Sequence, residues 1–385
     1  MAKVLFYAQH LLGIGHLARA ATLARGLVRG GFEVTLVNGG FPVPELSLSD
    51  IQIRQLPPTR ATDLHFKVLV DEDGNPIDDV WKAERCRRLL SVAASERADV
   101  IITELYPFGR RQMRFELVPL LEQLRGQSPR PLIVSSVRDI LVESPKPGRT
   151  DEMLERVRQF YDLVLVHGDP NLVPFSKTFP HAASIEDRLR YTGYVVEQSE
   201  DYASVVRGDE VLVSAGGGAV SAVLVEAALA GRELSVGRDR PWRVLIGSAL
   251  PESDFARLAA MAPEGVVVER ARPDFRRLLR SAALSISQGG YNTVMEVLDA
   301  KTPAVVIPYA GGLETEQTLR AALLADRGFI STVDEAVLSP QTLADAVDRT
   351  LERPAPGSTI DQGGVVNTVR ILREALSSLS ERATS

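Results

Sequence analysis

The segment Ser287-Gln288-Gly289-Gly290-Tyr291-Asn292-Thr293-Val294-Met295-Glu296 decides the fold of this chain. It continues the apolar run Leu284–Ser287, so a predicted strand ends in a glycine pair and a helix starts near Asn292. The partial positive charge at the start of such a helix favours a pyrophosphate. The Glu296 carboxylate, about one turn into the helix, offers two acceptor oxygens to the vicinal hydroxyls of a ribose. The segment therefore predicts a strand–turn–helix unit that binds a nucleotide.

Two neighbouring segments extend this predicted site. Downstream, a loop carries Glu314-Thr315-Glu316-Gln317, whose polar side chains are placed to contact sugar hydroxyls. The two glutamates are also explained as first-turn carboxylates that a helix dipole favours. Upstream, a strand runs into Gly216, Gly217 and Gly218, where backbone N–H groups can approach an anion, although a packing turn explains these glycines as well. The order and spacing of the motifs carry more weight than any one of them.

Short β-branched runs alternate with helix-like stretches along the chain, which predicts mostly parallel sheets covered on both faces. The predicted strands of the first series are Val4–Ala8, Glu33–Val37, Ile51–Leu56, Val100–Glu104, Leu132–Ser136 and Leu163–His167. Those of the second series are Val211–Ser214, Arg243–Ile246, Val266–Glu269, Leu284–Ser287, Ala304–Pro308 and Phe329–Thr332. At 385 residues the chain exceeds what one hydrophobic core serves. We expect an α/β protein of two Rossmann-like, doubly wound domains facing across a cleft, residues 1–200 and 201–365, with a helix over 366–385 packing back on the first.

The first predicted strand ends in Gln9-His10-Leu11-Leu12-Gly13-Ile14-Gly15-His16-Leu17-Ala18. Gly13, Gly15 and Ala18 match the dinucleotide pattern G-x-G-x-x-A. A bound NAD would also require an acid at the end of the second strand, but that strand ends Val37-Asn38-Gly39-Gly40. A tight turn that opens a helix is therefore the better interpretation.

Composition and charge argue against several classes of protein. A formal net charge of −6 lacks the concentrated basic surface that nucleic-acid binding needs. The single cysteine, Cys86, allows no intrachain disulfide, which fits a reducing, cytoplasmic compartment. The apolar stretch Val211–Gly231 is long enough to raise the question of a membrane span, but glycines and Glu226 divide it into strand, turn and helix.

The sequence shows no spacing that is typical of metal ligands. Asp71-Glu72-Asp73 is a D-x-D pattern, which elsewhere binds a metal–diphosphate pair, but Gly74-Asn75-Pro76 follows it and is typical of a turn. The remaining histidines, His10, His65, His167 and His181, lack ligand spacing. We expect no metal and no cofactor.

These motifs together resemble the GT-B glycosyltransferases of the MurG-like, family 28-like group, in domain order over nearly the whole chain. The resemblance is most specific between Ser287 and Arg320. The segments Gln9–Arg19, Thr103–Arg111 and Arg190–Tyr194 resemble a bacterial branch of predicted glycosyltransferases more closely still. The resemblance implies a GT-B hexosyltransferase that moves a sugar, N-acetylglucosamine or similar, from a UDP-sugar to an acceptor the sequence does not identify. It implies a cytoplasmic protein and leaves open a peripheral contact with the inner membrane face.

Carried over position by position, the resemblance assigns a donor site and an acceptor side. Glu296 matches the glutamate that holds the donor ribose, and Glu316 and Gln317 match polar residues that contact the donor sugar. The other donor-site positions are Gly216, Gly217, Gly218, Gly289, Gly290, Asn292 and Thr293. The acceptor side comprises Gly13, Gly15, Tyr106, Arg110, Arg111 and Arg138. Glu197 stands where the family has an arginine, a departure that concerns acceptor and phosphate contacts.

Sugar transfer with inversion needs a base for the acceptor proton and stabilisation of the leaving diphosphate. His16 is the candidate base, because imidazole titrates near neutral pH and the resemblance places this loop opposite the donor. The alternative for His16 is a helix-start histidine that caps or packs the loop. Asp139 and Glu104, at strand ends, are the other candidate bases. Glycine loops and helix N-termini, rather than a metal, would meet the leaving-group charge.

Two features of the first domain bear on the acceptor. Arg110, Arg111 and Arg114 follow a strand end and would bind an anionic acceptor, unless they are simply solvated. The apolar side chains Leu11, Leu12 and Ile14 would help a lipid acceptor dock, but core packing explains them better.

Two other functions share these features. UDP-N-acetylglucosamine 2-epimerases are similar in fold and use the same donor. Their sequence pattern, however, is a glycine pair followed almost at once by paired glutamates. Here Glu296 comes only after Tyr291–Met295, which favours transfer. A non-catalytic sugar-nucleotide-binding protein would keep the donor site and show no transfer.

Overall fold

The computed structural model describes residues 1–43, 46, 48, 50–63, 66–141, 148–197, 204–215, 220–247, 250–311, 315–353, 357 and 359–384. The chain forms two compact units. Unit 1 consists of Met1–Glu197 together with Ile360–Ser385, and unit 2 consists of Gln198–Thr359. The chain therefore leaves unit 1 once, forms unit 2, and returns to unit 1 for its last segment.

Unit 1 is built on a parallel sheet in the order β3-β2-β1-β6-β7-β8-β9. The strands of unit 1 are β1 (Lys3–Ala8), β2 (Glu33–Asn38), β3 (Gln52–Gln55), β4 (Arg60–Ala61), β5 (Leu69–Val70), β6 (Val100–Glu104), β7 (Leu132–Arg138), β8 (Leu163–His167) and β9 (Leu189–Tyr191). The short strands β4 and β5 form a separate antiparallel ribbon. The strand order reverses between β1 and β6, and α/β sheets open a crevice at the carboxyl ends of the strands at such a switch point.

Unit 2 contains a second parallel sheet, in the order β12-β11-β10-β13-β14-β15. Its strands are β10 (Val211–Ala215), β11 (Trp242–Ile246), β12 (Val266–Arg270), β13 (Leu284–Gln288), β14 (Ala304–Ile307) and β15 (Ser331–Thr332). Here the order reverses between β10 and β13. The same rule therefore marks the carboxyl ends of these two strands as the ligand-binding edge.

Helices cover both sheets. They are α1 (Gly15–Arg29), α2 (Asp79–Glu96), α3 (Arg114–Arg125), α4 (Arg149–Phe160), α5 (Val220–Arg232), α6 (Glu252–Ala260), α7 (Phe275–Ser281), α8 (Tyr291–Ala300), α9 (Glu316–Asp326), α10 (Pro340–Leu351) and α11 (Gly364–Thr384). Strands β6 and β8 are buried along their whole length, and β1 is buried except at Lys3, because helices pack on both faces of the sheet. The last helix, α11, packs on α1, where a β-carbon at Gly26 would collide with Val365.

Every strand predicted from the sequence is present, with ends shifted by at most two residues. The α/β architecture of two doubly wound, Rossmann-like domains is confirmed. Strand β9 and the β4–β5 ribbon were not predicted from the sequence. These strands are two or three residues long, and β9 is only partly buried, so they are too short to show a periodic pattern.

The Asp71-Glu72-Asp73 pattern forms a turn beyond β5. The carboxylate oxygen Oδ1 of Asp71 accepts from the backbone N–H groups of Asp73 and Asn75 at 3.0 and 2.8 Å. Gly74 adopts a φ of +84°, which is the left-handed region that glycine tolerates. The carboxylate of Asp71 therefore stabilises the local turn.

A fully buried ion pair joins α2 and α3 to the ends of β1 and β2. The guanidinium of Arg85 donates from Nε and Nη2 to the two oxygens of Glu116, at 2.8 and 2.9 Å. It also donates to Gln9 Oε1 and to the backbone carbonyl of Gly39. Tyr7 donates its hydroxyl to Glu116. Because Arg85 and Glu116 are both completely buried, each needs the other as its counter-ion.

Replacing one partner of this pair will destabilise unit 1. We expect Glu116→Gln to lower its free energy of unfolding by about 3–5 kcal/mol, since the Arg85 charge stays buried without its counter-ion. The chain has one tryptophan in each unit, Trp81 and Trp242, so urea unfolding followed by fluorescence in a Trp242→Phe background reports on unit 1. Glu84→Gln, which removes an exposed partner of Arg87 and Arg88, is the control and should change little. Equal losses in the two variants would contradict the prediction.

Candidate functional site

The loop between β1 and α1 places His16 at the switch point of unit 1. Gly13 has open space around it, so the loop backbone is accessible there. Helix α1 begins at Gly15, and the preceding residue, Ile14, offers no polar side chain to cap it. His16 is the second residue of the helix and is buried. The side chain is therefore fixed by its surroundings.

Glu104 holds one side of the His16 ring. It is the last residue of β6, the strand beside β1, and is fully buried. Its oxygen Oε1 lies 2.8 Å from His16 Nδ1 and also accepts from Arg19 Nη2. Its other oxygen, Oε2, accepts from the Ser136 hydroxyl at 2.7 Å. Three donors from α1 and β7 thus surround one carboxylate.

The groups around His16 determine its charge and which ring nitrogen carries the proton. Burial, followed by the positive charges of Arg138, Arg110 and Arg19, holds the pKa of His16 well below its usual value. The imidazole is therefore neutral near pH 7 and carries one N–H group. A carboxylate only accepts and a guanidinium only donates, and Glu104 at 2.8 Å is the nearer partner of Nδ1, with Arg19 at 3.4 Å, so Nδ1 carries the proton and gives it to Glu104. The lone pair is then on Nε2, which accepts from Arg138 Nη2 at 2.7 Å.

A second arginine lies near His16. Arg110 donates from Nε to the backbone carbonyl of Gln9 at 2.9 Å, and its guanidinium lies over the Phe66 ring, 5.7 Å from the centroid. Burial, reinforced by Arg138, lowers the pKa of Arg110 to about 10. Within the described part of the chain, Arg110 forms no ion pair with an acidic side chain. The surroundings of His16 are therefore rich in positive charge.

Other residues predicted for this site lie elsewhere. Tyr106 belongs to the hydrophobic core, and burial raises the pKa of its hydroxyl to about 12. Arg111 pairs with Glu152 of α4 at 2.9 Å, on the protein surface. Asp139 is buried and accepts from the Tyr194 hydroxyl at 2.8 Å. The structure thus brings Arg110, Arg138 and Glu104 to His16, and it gives Tyr106, Arg111 and Asp139 other partners.

The apolar residues of the β1–α1 loop divide into two groups. Leu11 is 2% exposed and packs in the core, as expected from the sequence. Leu12 and Ile14 are 46% and 44% exposed, so core packing does not explain them. Two large apolar side chains therefore face solvent on either side of Gly13.

In unit 2, the glycine pair after β13 shapes the start of α8. A β-carbon on Gly289 would lie 3.1 Å from Pro308 Cα and 3.2 Å from Gln317 Oε1, so the backbone packs closely there. A β-carbon on Gly290 would meet nothing within 4 Å, so the N-terminus of α8 is open to approach. Asn292 and Thr293, in the first turn, are half-buried. The N-cap residue, Gly290, has no side chain with which to cap the helix.

Glu296 projects from the second turn of α8 and is half-buried. Arg276 of α7 donates from Nε to its oxygen Oε1 at 3.0 Å. One turn further along, Asp299 pairs with Arg280 of α7 in the same way. The two pairs have similar exposure and together join α7 to α8. The Glu296 carboxylate is therefore oriented by a neighbouring helix.

The start of α9 lies beside this glycine pair. Gln317 Oε1 accepts from the backbone N–H of Tyr309 at 3.1 Å, which holds the loop after β14. Glu316 is buried and pairs with Arg320 at 2.8 Å, and the Arg320 guanidinium lies over the ring of Tyr291. The predicted donor residues Gly216, Gly217 and Gly218, and the loop residue Glu314, lie outside the described residues.

Metal sites and membrane-spanning helices are not found in the described part of the chain. Within it, no group of three or more His, Cys, Asp or Glu side chains is arranged as a metal site. None of its helices is both long enough and apolar enough to cross a membrane.

Known proteins are similar to this chain in sequence. Residues 217–359 match the glycosyltransferase family 28 C-terminal domain. The UDP-N-acetylglucosamine–N-acetylmuramyl-(pentapeptide) pyrophosphoryl-undecaprenol N-acetylglucosamine transferase of Mesorhizobium japonicum is 28% identical over 149 residues, 37% of this chain and 40% of its own length. The protein of the same name from Rhodopseudomonas palustris is 29% identical over 108 residues, 27% of this chain and 30% of its own length. The chain thus aligns with less than half the length of these relatives.

Solved structures resemble the whole chain. Acinetobacter baumannii MurG superposes with a TM-score of 0.61 at 16% identity, covering 97% of this chain and 100% of that one. The spinosyn rhamnosyltransferase SpnG complexed with thymidine diphosphate gives 0.57 at 16% identity and covers all of both chains. The calicheamicin glycosyltransferase gives 0.56 at 16% identity, over 98% of this chain and 95% of that one.

The fold is therefore that of the GT-B class, with its two Rossmann-like domains. Within the chain, residues 217–359 are similar to the family 28 C-terminal domain, and the sequence relatives are named as N-acetylglucosamine transferases. The resemblance drawn from the sequence is confirmed.

The stability of unit 1 will fall in mild acid because it buries neutral histidines. Burial, followed by the charge of Arg110, lowers the pKa of His10 to about 4, whereas an unfolded histidine titrates near 6.5. Below pH 6.5 the unfolded chain binds a proton that the folded one refuses, so stability is lost as the pH falls towards 4. We expect His10→Gln to reduce this loss by up to about 1.4 kcal/mol per pH unit.

Urea unfolding of unit 1 at a series of pH values tests this, with His181→Gln as the control for loss of an exposed histidine. A pH dependence that His10→Gln leaves unaltered would contradict the assignment of His10 as a buried neutral side chain.

Proposed function

We propose that this chain is a glycosyltransferase that moves a sugar from a UDP-sugar donor to a hydroxyl of its acceptor, with inversion and without a metal. The observation that carries the proposal is the His16–Glu104 pair, at 2.8 Å, at the switch point of unit 1. A protein that only bound a sugar nucleotide would not need a buried neutral imidazole oriented by a carboxylate. Such a pair is suited to taking a proton from a hydroxyl.

Unit 2 would bind the donor. The open N-terminus of α8 at Gly290 suits a diphosphate, since its backbone N–H groups and helix dipole favour negative charge. Glu296, on the same helix, would accept hydrogen bonds from the ribose hydroxyls. A carboxylate has about four acceptor sites, so pairing with Arg276 does not exclude this contact. Gln317 and Glu316, beside the glycine pair, are the proposed contacts for the sugar.

The names of similar proteins support a nucleoside diphosphate as part of the donor. The family 28 relatives are named for UDP-N-acetylglucosamine, and the SpnG structure contains thymidine diphosphate. Both names support a nucleoside diphosphate, and the sequence relatives favour uracil and N-acetylglucosamine.

In the proposed reaction, the acceptor oxygen attacks the anomeric carbon as His16 Nε2 takes its proton. The bond from the anomeric carbon to the diphosphate oxygen breaks, and UDP leaves with that electron pair. Glu104 then stabilises the imidazolium through Nδ1. The acceptor hydroxyl has to replace Arg138 at Nε2. The N-terminus of α8 would stabilise the charge that develops on the leaving diphosphate.

The surroundings of His16 suggest a type of acceptor. Arg110 and Arg138 supply positive charge, and the exposed Leu12 and Ile14 supply apolar surface in the loop that carries His16. An acceptor with a negatively charged group and an apolar part would contact both. The relatives are named for a pyrophosphoryl-undecaprenol substrate, which has this character. We propose a cytoplasmic protein that meets such an acceptor at the inner membrane face.

The ribose contact is tested by Glu296→Gln with Asp299→Asn as its control. Each variant removes one α7–α8 ion pair of similar exposure, so both should lose similar stability. We expect only Glu296→Gln to weaken UDP binding, by about 10-fold or more, since a hydrogen bond to a charged group contributes about 1.5–3 kcal/mol. Titration calorimetry with UDP gives both affinities. Equal UDP affinity in the two variants would remove Glu296 from the ribose site.

The catalytic pair is tested by His16→Ala and Glu104→Gln. We expect each to lower the hydrolysis of UDP-N-acetylglucosamine, with water as acceptor, by about 100-fold or more. Binding of UDP should stay as in the parent, because the nucleotide contacts are in unit 2. Parent-like turnover in both variants would refute the proposed base. Formation of the 2-epimer from the donor alone would instead identify an isomerase, and binding without any turnover would identify a non-catalytic protein.

A further inference from the structure

Another buried histidine, His167, is linked to Glu104 through Ser136. It is the last residue of β8 and is fully buried. Its Nε2 lies 2.9 Å from Ser136 Oγ, and Ser136 donates to Glu104 Oε2 at 2.7 Å. Its Nδ1 lies 2.8 Å from the hydroxyl of Thr192. An unbroken series of hydrogen bonds therefore runs from Thr192 through His167 and Ser136 to the partner of His16.

The direction of this series follows from the number of protons. Burial, followed by the charge of Arg19, holds the pKa of His167 well below its usual value, so the ring is neutral and has one N–H. Ser136 uses its only proton on Glu104, so it has to accept from His167 Nε2. Nδ1 then carries no proton and faces the Thr192 hydroxyl, which also lies 2.8 Å from the backbone carbonyl of Gly193. From His167 onwards, both donors point towards the Glu104 carboxylate.

The sheet places these residues side by side. Glu104 and Ser136 are register partners on β6 and β7, and His167 is the register partner of Arg138, two residues further along β7. Thr192 follows β9, the next strand. Its backbone carbonyl accepts from Asn367 of α11 at 2.8 Å. The series is thus anchored on the segment through which the chain leaves unit 1 and on the helix to which it returns.

A carboxylate needs this support because its terminal torsion is broad. Oε1 receives His16 Nδ1 and Arg19, and Ser136 holds Oε2. Without the contact at Oε2, the carboxylate would turn about that torsion and the His16 hydrogen bond would weaken. The Nε2–H tautomer, in which Nε2 cannot accept a proton, would then gain population, although Arg138 at Nε2 opposes it. A donor at Oε2 therefore acts together with Arg138 in favouring the Nδ1–H tautomer of His16.

We propose that His167 is a positioning residue, which acts through Ser136 on Glu104 and keeps the lone pair of His16 on Nε2. The expected effect of His167 on the tautomer of His16 does not depend on the proposed function. The expected effect on the reaction rate rests on it.

The test compares His167→Gln with His167→Asn. The amide nitrogen of glutamine reaches the place of the imidazole Nε2 and still donates to Ser136. Asparagine is one carbon shorter and reaches only the Thr192 side. Both variants bury a neutral amide of similar size in place of the ring, so a purely structural role predicts similar losses. Ser136→Ala is a third variant that removes the link with little change in volume.

The first measurement is the nitrogen NMR spectrum of the five histidines, assigned by substitution. In the parent and in His167→Gln we expect the Nδ1–H tautomer of His16. In His167→Asn and Ser136→Ala we expect a rise of the Nε2–H tautomer. Parent-like nitrogen shifts of His16 in both of the latter variants would overturn the proposal, whatever reaction the protein catalyses.

The second measurement is the hydrolysis of UDP-N-acetylglucosamine by the full chain. We expect His167→Asn and Ser136→Ala to lower kcat by about 10- to 100-fold, with the KM for the donor little changed, and His167→Gln to retain most of the rate. In a Glu104→Gln background, His167→Asn should add no further loss, because it acts only through that carboxylate. Additive losses would overturn the proposal. If His16→Ala hydrolyses the donor like the parent, the proposed function fails, and the tautomer measurement still decides the role of His167.

Discussion

The carboxylate of Glu104 is fully buried at the carboxyl end of β6, where it accepts hydrogen bonds from Arg19, His16 and Ser136. A carboxylate in the interior is costly unless donors surround it, and here the donors come from elements on both sides of the switch point. Because all three have to reach the same two oxygens, the start of α1 and the end of β7 are fixed relative to β6. This constraint, more than the glycines of the β1–α1 loop, determines which way the His16 ring points.

The residues proposed to bind ligands are held in place differently in the two units. Unit 1 depends on side chains that hold one another, as in the fully buried Arg85–Glu116 pair that fixes the ends of β1 and β2. Unit 2 depends on backbone shape, since Gly289 lets the chain approach Pro308 closely and Gly290 leaves the start of α8 open. Even there, the carboxylate of Glu296 on α8 is oriented by Arg276 of a neighbouring helix. Groups fixed before a ligand arrives lose little conformational entropy when it binds.

The sequence predicted those features whose causes are local. Buried parallel strands require continuous apolar runs, so every strand of the two central sheets except β9 was found, and the glycine pair with Glu296 lies within one short segment. The His16–Glu104 pair joins residues 88 positions apart, and it exists because the strand order places β6 beside β1. Glu104 was predicted only as an alternative base, although an acid that ends the apolar run Val100–Glu104 signals a functional strand end. Tyr106 was predicted from motif similarity, which carries no information about the direction of a side chain.

The charges around His16 constrain any reaction that uses it. Burial, followed by the charges of Arg138 and Arg110, keeps the imidazole neutral, which makes it available as a base at neutral pH but opposes the imidazolium that proton transfer creates. Glu104 compensates one positive charge and already serves Arg19. A further negative charge near Arg138 would therefore favour the transfer, both by drawing its guanidinium away from Nε2 and by offsetting the new charge on the ring. Under the proposed function, an anionic acceptor would supply such a charge when it binds, so the same two arginines that weaken His16 as a base in its absence would tie the activity of His16 to the presence of the acceptor.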